Sequence, residues 1–207
     1  KWQLPPVNGG SDQSGNYFCI ASEVEFFKGL DMKLPIFMLN DDDITAFQCD
    51  IYLPEGLRLK MNEDEDYNIT LSERATSSHS VATSDQADGS IRVAVYSSKS
   101  KPFRENIGEL FTLDLEYVEG ADKTQTIEIR NIYLSTADER EFNPNNISSV
   151  VTIKDYTLGD VNNDGIIELY DAAYISQYLR KETPWDFTFP AADTDADGKI
   201  SIGDLVG

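Results

Sequence analysis

The chain predicts a mostly β protein, an antiparallel β-sandwich over residues 1–154 followed by a small helical domain over residues 155–207 built on a duplicated acidic loop. Three observations carry this expectation. Short runs in which β-branched and aromatic residues alternate with polar ones recur through the first 154 residues, bounded by Gly, Pro, Asn and Asp. The stretch GDVNNDGIIELYD at 159–171 is nearly repeated as ADTDADGKISIGD at 192–204. The chain has 207 residues, 40% of them hydrophobic, which suffices for one good core and a second small one.

Ten strands are predicted, at 17–24, 32–39, 44–53, 57–61, 67–71, 79–83, 90–97, 108–118, 124–135 and 149–153. Turn signals at this spacing favour two packed antiparallel sheets, with LPEG and QADGS among the turns. Pro35 lies inside a strand pattern, and a proline cannot donate to the ladder, so a sheet edge or a bulge is expected there. Cys19 and Cys49 leave two readings open, one disulfide or two buried thiols. The second is favoured because Phe47, Cys49, Ile51 and Leu53 share one strand face.

Charge narrows the function classes. The chain carries 37 Asp and Glu against 17 Lys and Arg, a formal net charge of −20. Eleven of the acidic residues but only three of the basic ones follow Lys154, so the tail is the more negative part. Such a surface repels phosphate backbones and anionic lipid and attracts divalent cations. No run approaches the roughly 20 apolar residues a bilayer requires, so neither nucleic acid nor membrane insertion is expected. Lys1 begins no signal-peptide pattern, and a mature secreted chain or a trimmed one fits equally. Glu63–Asp66 and Asp41–Asp43 read as solvated loops, and His79 as a structural residue, since no catalytic partner for it is visible.

The repeat carries the chemistry. A hard cation takes six to eight oxygens at about 2.3–2.6 Å, and a twelve-residue loop supplies them from positions 1, 3, 5, 7, 9 and 12, with glycine turning the chain at position 6. From Asp160 this ruler selects Asn162, Asp164, the carbonyl of Ile166, Glu168 and Asp171, with Gly165 at position 6. From Asp193 it selects Asp195, Asp197, the carbonyl of Lys199, Ser201 through a water, and Asp204, with Gly198 at position 6. Two complete matches point to two bound Ca²⁺ ions, with Mg²⁺ the lesser alternative because it holds to octahedral geometry. Ile167 and Ile200, both at position 8, are expected to pack beneath their loops.

Residues 144–159 and the stretch PWDFTFPAA leave no room for an entering helix, so each loop is expected to feed only an exiting one. In the first, Ala172, Ile175 and Leu179 form an apolar stripe. Trp185, Phe187 and Phe189 are expected to cover the small domain's core.

Two resemblances follow. KGLDMKLPIFMLNDDDITAFQCDIYLPEGLRL and DGSIRVAVYSSKSKPFRENIGELFTLDLEY resemble the cohesin family over residues 17–153, which implies a jelly-roll-like sandwich. The loop-then-helix units, with Asp at position 12 and duplication within about 50 residues, resemble a type I dockerin over 159–207. That second resemblance implies a calcium-dependent module that binds a cohesin-type domain. Its recognition pairs would be Leu169 with Tyr170 and Ile202 with Gly203; Ser176, Gln177 and Lys181 on the first helix would add secondary contacts. The alternative for Leu169 and Tyr170 is packing against the neighbouring sandwich.

Three functions compete. The first is a non-catalytic, calcium-binding, secreted or cell-surface assembly protein of a cellulosome-like system, with self-association conceivable because one chain carries both kinds of module. The second is a carbohydrate-binding sandwich tethered by a dockerin in polysaccharide degradation, which needs exposed aromatics on one face. The third, an enzyme, is disfavoured because a glycosidase sets two carboxylates across a cleft and a sandwich leaves little material for one.

Overall fold

The computed structural model describes residues 14–205 in full and residues 7–11 by their backbone. Its strands are β1 (Val7–Ser11), β2 (Tyr17–Ala21), β3 (Glu23–Phe27), β4 (Met32–Leu39), β5 (Ile44–Tyr52), β6 (Leu57–Leu59), β7 (Ile69–Leu71), β8 (His79–Asp85), β9 (Ile91–Ser97), β10 (Ile107–Tyr117), β11 (Thr124–Thr136), β12 (Glu141–Phe142) and β13 (Ile147–Lys154). Two α-helices follow, α1 (Leu169–Leu179) and α2 (Phe189–Ala192), then a 3-10 turn at Gly203–Leu205. The chain divides into a larger unit that runs to Ile153 and a smaller one that holds everything from Lys154 onward together with Phe27–Gly29.

The larger unit is a sandwich of two sheets. One has the order β1-β2-β4-β10-β6, with β7 also on β10; the other has the order β3-β13-β11-β5-β9-β8, with β12 on β11. Alternation decides which side chains go inside. In β4 the residues Met32, Leu34, Ile36 and Met38 are buried while their neighbours are not, and in β9 Ile91, Val93 and Val95 do the same. Aromatic rings join the two inner faces: Phe47 of β5 stacks on Phe111 of β10 at 5.3 Å and meets Phe18 of β2 edge-on at 5.4 Å. Each such side chain contributes about 1.5–3 kcal/mol by leaving water. Cys19 and Cys49 are free, buried thiols, and burial raises the thiol pKa of both. The disulfide reading is therefore set aside.

Two strand assignments from sequence need correction. The run at 17–24 is not one strand: it breaks at Ser22, so that β2 pairs in one sheet and β3 in the other. Alternation continues across such a crossing and gives no warning of it. The strands β1 and β12 were not foreseen, because neither VNGGS nor EF carries an alternating apolar pattern. Pro35 behaves as its chemistry requires, since the pairing of β2 with β4 covers only Ile36–Leu39 and stops short of Pro35. The proline thus occupies a local edge. His79 is buried, stacks on Phe103 at 4.2 Å and accepts the Thr76 N–H at Nδ1; desolvation lowers its pKa, which keeps it neutral and structural.

Buried charge organises two places in the sandwich. Asp50 is only 2% exposed, although it points to the outer face of β5. Arg92 covers it with a bidentate pair at 2.7 and 2.8 Å, and Asn131 donates to it at 2.8 Å. Asn131 adopts the left-handed conformation, φ 51, at a register shift in β11, so Asp50 pins a bulge as well as a cation. Arg74 is 5% exposed, and its hydrogen bonds among the described residues go to no carboxylate, although Glu105 lies near enough to favour its charge. Its guanidinium instead donates to the carbonyls of Met38, Arg104, Glu105 and Gly108 and to Asn40 Oδ1.

Removing either group leaves buried partners unpaired. Arg74→Met is expected to lower unfolding stability by about 3 kcal/mol or more in urea titration, because four carbonyls and Asn40 Oδ1 each lose a donor and an unmet buried acceptor costs roughly 1–3 kcal/mol. The Arg92 hydrogen bond holds the Asp50 carboxyl below the usual range, so its stabilisation is fully present above the unfolded aspartate value of about 3.9 and is lost as pH falls through the folded value. Asp50→Asn should cost about 1–3 kcal/mol at neutral pH and flatten the acid limb of the stability curve relative to the parent.

Candidate metal centre

The two C-terminal loops are built on the same set of hydrogen bonds, position for position. In the first, Asp160 accepts the N–H of Asp164 at 3.1 Å with Oδ1 and that of Gly165 at 2.9 Å with Oδ2. In the second, Asp193 accepts from Asp197 at 3.1 Å and from Gly198 at 2.9 Å in the same way. The position-5 carboxylates repeat the rule two residues on, Asp164 accepting from Ile166 at 2.9 Å and Asp197 from Lys199 at 2.8 Å. Position 3 joins in, as Asn162 and Asp195 each accept the N–H two residues ahead. Each loop is thus a chain of Asx turns whose side chains curl inward around the backbone.

Position 12 closes the ring. Asp171 is 3% exposed; its Oδ1 accepts Val161 N–H at 2.7 Å and Asn162 N–H at 3.3 Å, and its Oδ2 accepts Glu168 N–H at 2.8 Å. Asp204 is 4% exposed and takes Thr194 N–H at 2.7 Å, Asp195 N–H at 3.4 Å and Ser201 N–H at 2.8 Å. The Ser201, Thr194 and Asp195 amides hold the Asp204 pKa below the usual carboxylate range. Asp171 also serves α1, because its bond to Glu168 N–H satisfies the amide at the helix start. The sequence ruler placed Asp171 and Asp204 as ligands but gave no sign of this second task.

The backbone meets the loop's demands at two positions. Gly165 and Gly198 lie at φ 89 and 81, where a side chain would be strained. Position 4 is also left-handed, with Asn163 at φ 55 and Ala196 at φ 56. Asn163 could have been read from its residue type, since asparagine tolerates this region, but Ala196 could not.

The residues fit a hard divalent ion. Ligand oxygens of Asp193, Asp195 and Asp197 lie within 4.8 Å of one another. Like charges this close repel by roughly 1–4 kcal/mol per pair near a protein surface, and a dication between them reverses the sign. The first loop replaces one of these carboxylates with Asn162, whose Nδ2 donates to Asp164 at 2.9 Å, which relieves part of that repulsion. Glu168 and the Ile166 and Lys199 residues are exposed at the loop surface, and Ser201 Oγ accepts Gly203 N–H at 2.9 Å. Every donor is oxygen, the choice suited to Ca²⁺ or Mg²⁺.

A small core sits behind the loops. Val161, Ile175 and Ala192 are buried, with Tyr174, Leu179, Phe187, Ile200 and Leu205 packed against them. Gly159 N–H donates to Ala191 O at 2.8 Å and Thr188 N–H to Val161 O at 2.7 Å, tying the start of the first loop to the stretch before the second. Three expectations fail here. PWDFTFPAA does enter a helix, α2, because Pro190 falls in the first turn, where its missing N–H is not needed. Ile167 is 62% exposed, while its counterpart Ile200 packs on the core. Trp185 is 95% exposed and covers nothing, whereas Phe187 stacks on Tyr178 at 5.0 Å and Phe189, 47% exposed, meets Tyr178 and Phe187 edge-on at 5.1 and 5.8 Å. The second loop leads into the 3-10 turn at Gly203–Leu205, its continuation at Val206 and Gly207 lying outside the described residues.

The expected recognition residues divide into two kinds. Leu169 is 84% exposed, Tyr170 67% and Ile202 74%, and Gly203 is also exposed. Ser176 and Gln177 are half-buried on α1. Lys181 is not on the helix, which ends at Leu179; it lies past Arg180 in the left-handed conformation, φ 66, its N–H bonded to Tyr178 O.

Comparison with known proteins bears on this geometry. Residues 158–206 match the dockerin type I domain family. The C-terminal unit therefore carries a dockerin, which spans both loops, α1, α2 and the final turn. The larger unit has the cohesin fold. It is similar to the cohesin module of a family 33 glycoside hydrolase from Clostridium perfringens, at 15% identity, TM-score 0.51, over 72% of this chain and 99% of that one. A non-cellulosomal cohesin from the archaeon Archaeoglobus fulgidus matches at 16% identity, TM-score 0.50, over 65% and 88% of the respective chains. A structure of a type I cohesin–dockerin complex from Clostridium thermocellum matches at 17% identity, TM-score 0.50, over 65% and 96%. No curated protein sequence matches the chain.

Backbone strain at Ala196 gives a direct test of the dockerin's second loop. Ala196→Gly is expected to stabilise the protein by about 0.5–1 kcal/mol, and Ala196→Val to destabilise it by at least as much, read as shifts in the denaturation midpoint in buffer containing excess Ca²⁺.

Proposed function

We propose that the chain is a non-catalytic, secreted or cell-surface assembly protein that binds two Ca²⁺ ions through its dockerin and presents that dockerin to a cohesin-type domain. The observation that carries this reading is the coincidence, within residues 158–206, of the dockerin match with two loops that share one hydrogen-bonding scheme. The first ion lies among Asp160, Asn162, Asp164, the Ile166 carbonyl, Glu168 and Asp171. The second lies among Asp193, Asp195, Asp197, the Lys199 carbonyl, Ser201 and Asp204. Each bound ion offsets the repulsion of its carboxylates and so contributes to folding of the small unit.

The partner-facing residues follow from exposure. Leu169 and Tyr170 stand at positions 10 and 11 of the first loop, Ile202 and Gly203 at the same positions of the second. Such apolar side chains in water, next to ion-closed loops, suit a hot-spot cluster that a protein partner desolvates. Ser176, Gln177 and Lys181 lie at or beyond the neighbouring helix and add polar contacts at the rim. The cohesin–dockerin complex from Clostridium thermocellum supports a cohesin as the partner class. Among the described residues no helix is long and apolar enough to cross a membrane, and a surface with net charge −20 disfavours nucleic acid.

Calorimetry on chelator-stripped protein should register two Ca²⁺ sites, and Asp160→Ala combined with Asp193→Ala should abolish both. At a hundredfold excess of Ca²⁺ over Kd each site stabilises the dockerin by about 2.7 kcal/mol, visible as a chelator-sensitive melting transition. Capture of cohesin domains on the immobilised chain should require Ca²⁺ and should weaken by tenfold or more, about 1.4 kcal/mol or above, in Leu169→Asp with Tyr170→Ala. Light scattering in Ca²⁺ and then in chelator separates a heterologous partner from head-to-tail association of this chain. No heat on adding Ca²⁺ to stripped protein would overturn the reading.

A further inference from the structure

The sandwich carries a concave feature that an assembly role leaves unused. A cleft of about 850 Å³ opens where β7 ends and β10 begins. Its floor is apolar, with half-buried Phe37 and Leu71 and with Ile107, 52% exposed. The exposed side chains of Glu73, Arg104 and Glu105 stand at its rim.

The wall of this cleft is held in place at a cost. Arg74 buries its guanidinium to bond the carbonyls of Arg104, Glu105 and Gly108 on one side and Met38 O and Asn40 Oδ1 on the other. Segment 104–108 is thereby fixed to β4, although Glu105 sits at φ 58 and Gly108 at φ 144. Burying a guanidinium against neutral acceptors and holding a non-glycine residue left-handed are both unfavourable, so the cleft's shape is specified by the fold.

The chemistry of the lining selects among ligand classes. An extended peptide that adds a strand needs free carbonyls, and here Leu110 O accepts Ser72 N–H, Glu109 O accepts the Ser72 hydroxyl and Gly108 O accepts Arg74. Three glutamates, Glu73, Glu105 and Glu109, stand against two arginines, and the chain is strongly acidic, so a polyanion finds no surplus of positive charge. A neutral sugar matches what remains. Its C–H face needs an apolar floor, which here the half-buried Phe37 ring, Leu71 and Ile107 supply in place of a flat face of exposed aromatics, and its neighbouring hydroxyls need planar carboxylate and guanidinium groups that accept or donate in pairs.

We propose that this cleft is a binding site for a neutral oligosaccharide, which lies on Phe37, Leu71 and Ile107 and hydrogen-bonds to Glu73, Glu105 and Arg104. Binding at the cleft does not pass through the calcium loops, so it persists in chelator and is separable from any failure of the dockerin reading. The test is an amide NMR titration of the full chain with millimolar cellohexaose, xylohexaose and mannohexaose, and with a neutral hexapeptide. At least one of the sugars is expected to shift the amides of residues 70–74 and 104–109. Affinity for that sugar should fall by roughly tenfold or more in both Ile107→Asp, at an exposed side chain, and Arg104→Ala, which gives up one long exposed bond from Nη1 to Glu73 O at 3.3 Å. The proposal is overturned if none of the three sugars shifts these amides, if both variants bind as the parent does, or if the hexapeptide alone shifts them.

Discussion

An aspartate carboxylate bonded to backbone amides at both ends of a twelve-residue loop is the interaction on which the C-terminal unit depends. Asp171 and Asp204 each take N–H groups from the loop's second, third and ninth positions, while Asp160 and Asp193 take those of the fifth and sixth. These bonds fold the chain back on itself and bring the oxygens of the candidate ligand set together. A carboxylate offers about four lone-pair sites, so accepting two or three amides leaves capacity for a cation. The side chains that shape the loops are thus also the candidate ligands, and the residue that closes the first loop satisfies the Glu168 amide just ahead of α1.

The consequence for recognition is geometric. Leu169, Tyr170 and Ile202 are exposed not by accident of a loose loop but because the positions on either side of them are fixed, Glu168 N–H and Ser201 N–H to the position-12 carboxylates. The two halves are nevertheless unequal. Tyr170 in the first loop corresponds to Gly203 in the second, and an eleven-residue helix follows the first, where a 3-10 turn follows the second among the described residues. A partner that engages both faces would find a bulky anchor on one and bare backbone on the other.

In the sandwich the equivalent role falls to buried charge. Apolar alternation supplies most of the cohesion, but it is indifferent to the path of a loop. Arg74 sets the path of residues 104–108 and Asp50 pins the bulge at Asn131, each by meeting backbone or side-chain groups that hydrophobic packing leaves unmet. Solved structures only 15–17% identical share this architecture, so the fold itself tolerates wide sequence change.

The sequence by itself determined the sandwich, the extent of its main strands and the two oxygen loops, since these rest on periods of two and on a fixed ligand ruler, both local. Residue type also announced Gly165, Gly198 and the edge at Pro35. Tertiary structure alone decided the crossing of the chain between sheets at Ser22, the burial of Arg74, and the exposure of Ile167 and Trp185 while Ile200 and Phe187 were covered. The same distinction applies to Asp171, a ligand candidate by spacing and a loop clasp only in three dimensions. Local pattern fixes which way a side chain points along its own element, but burial depends on what another segment places over it, and that is a property of the folded whole.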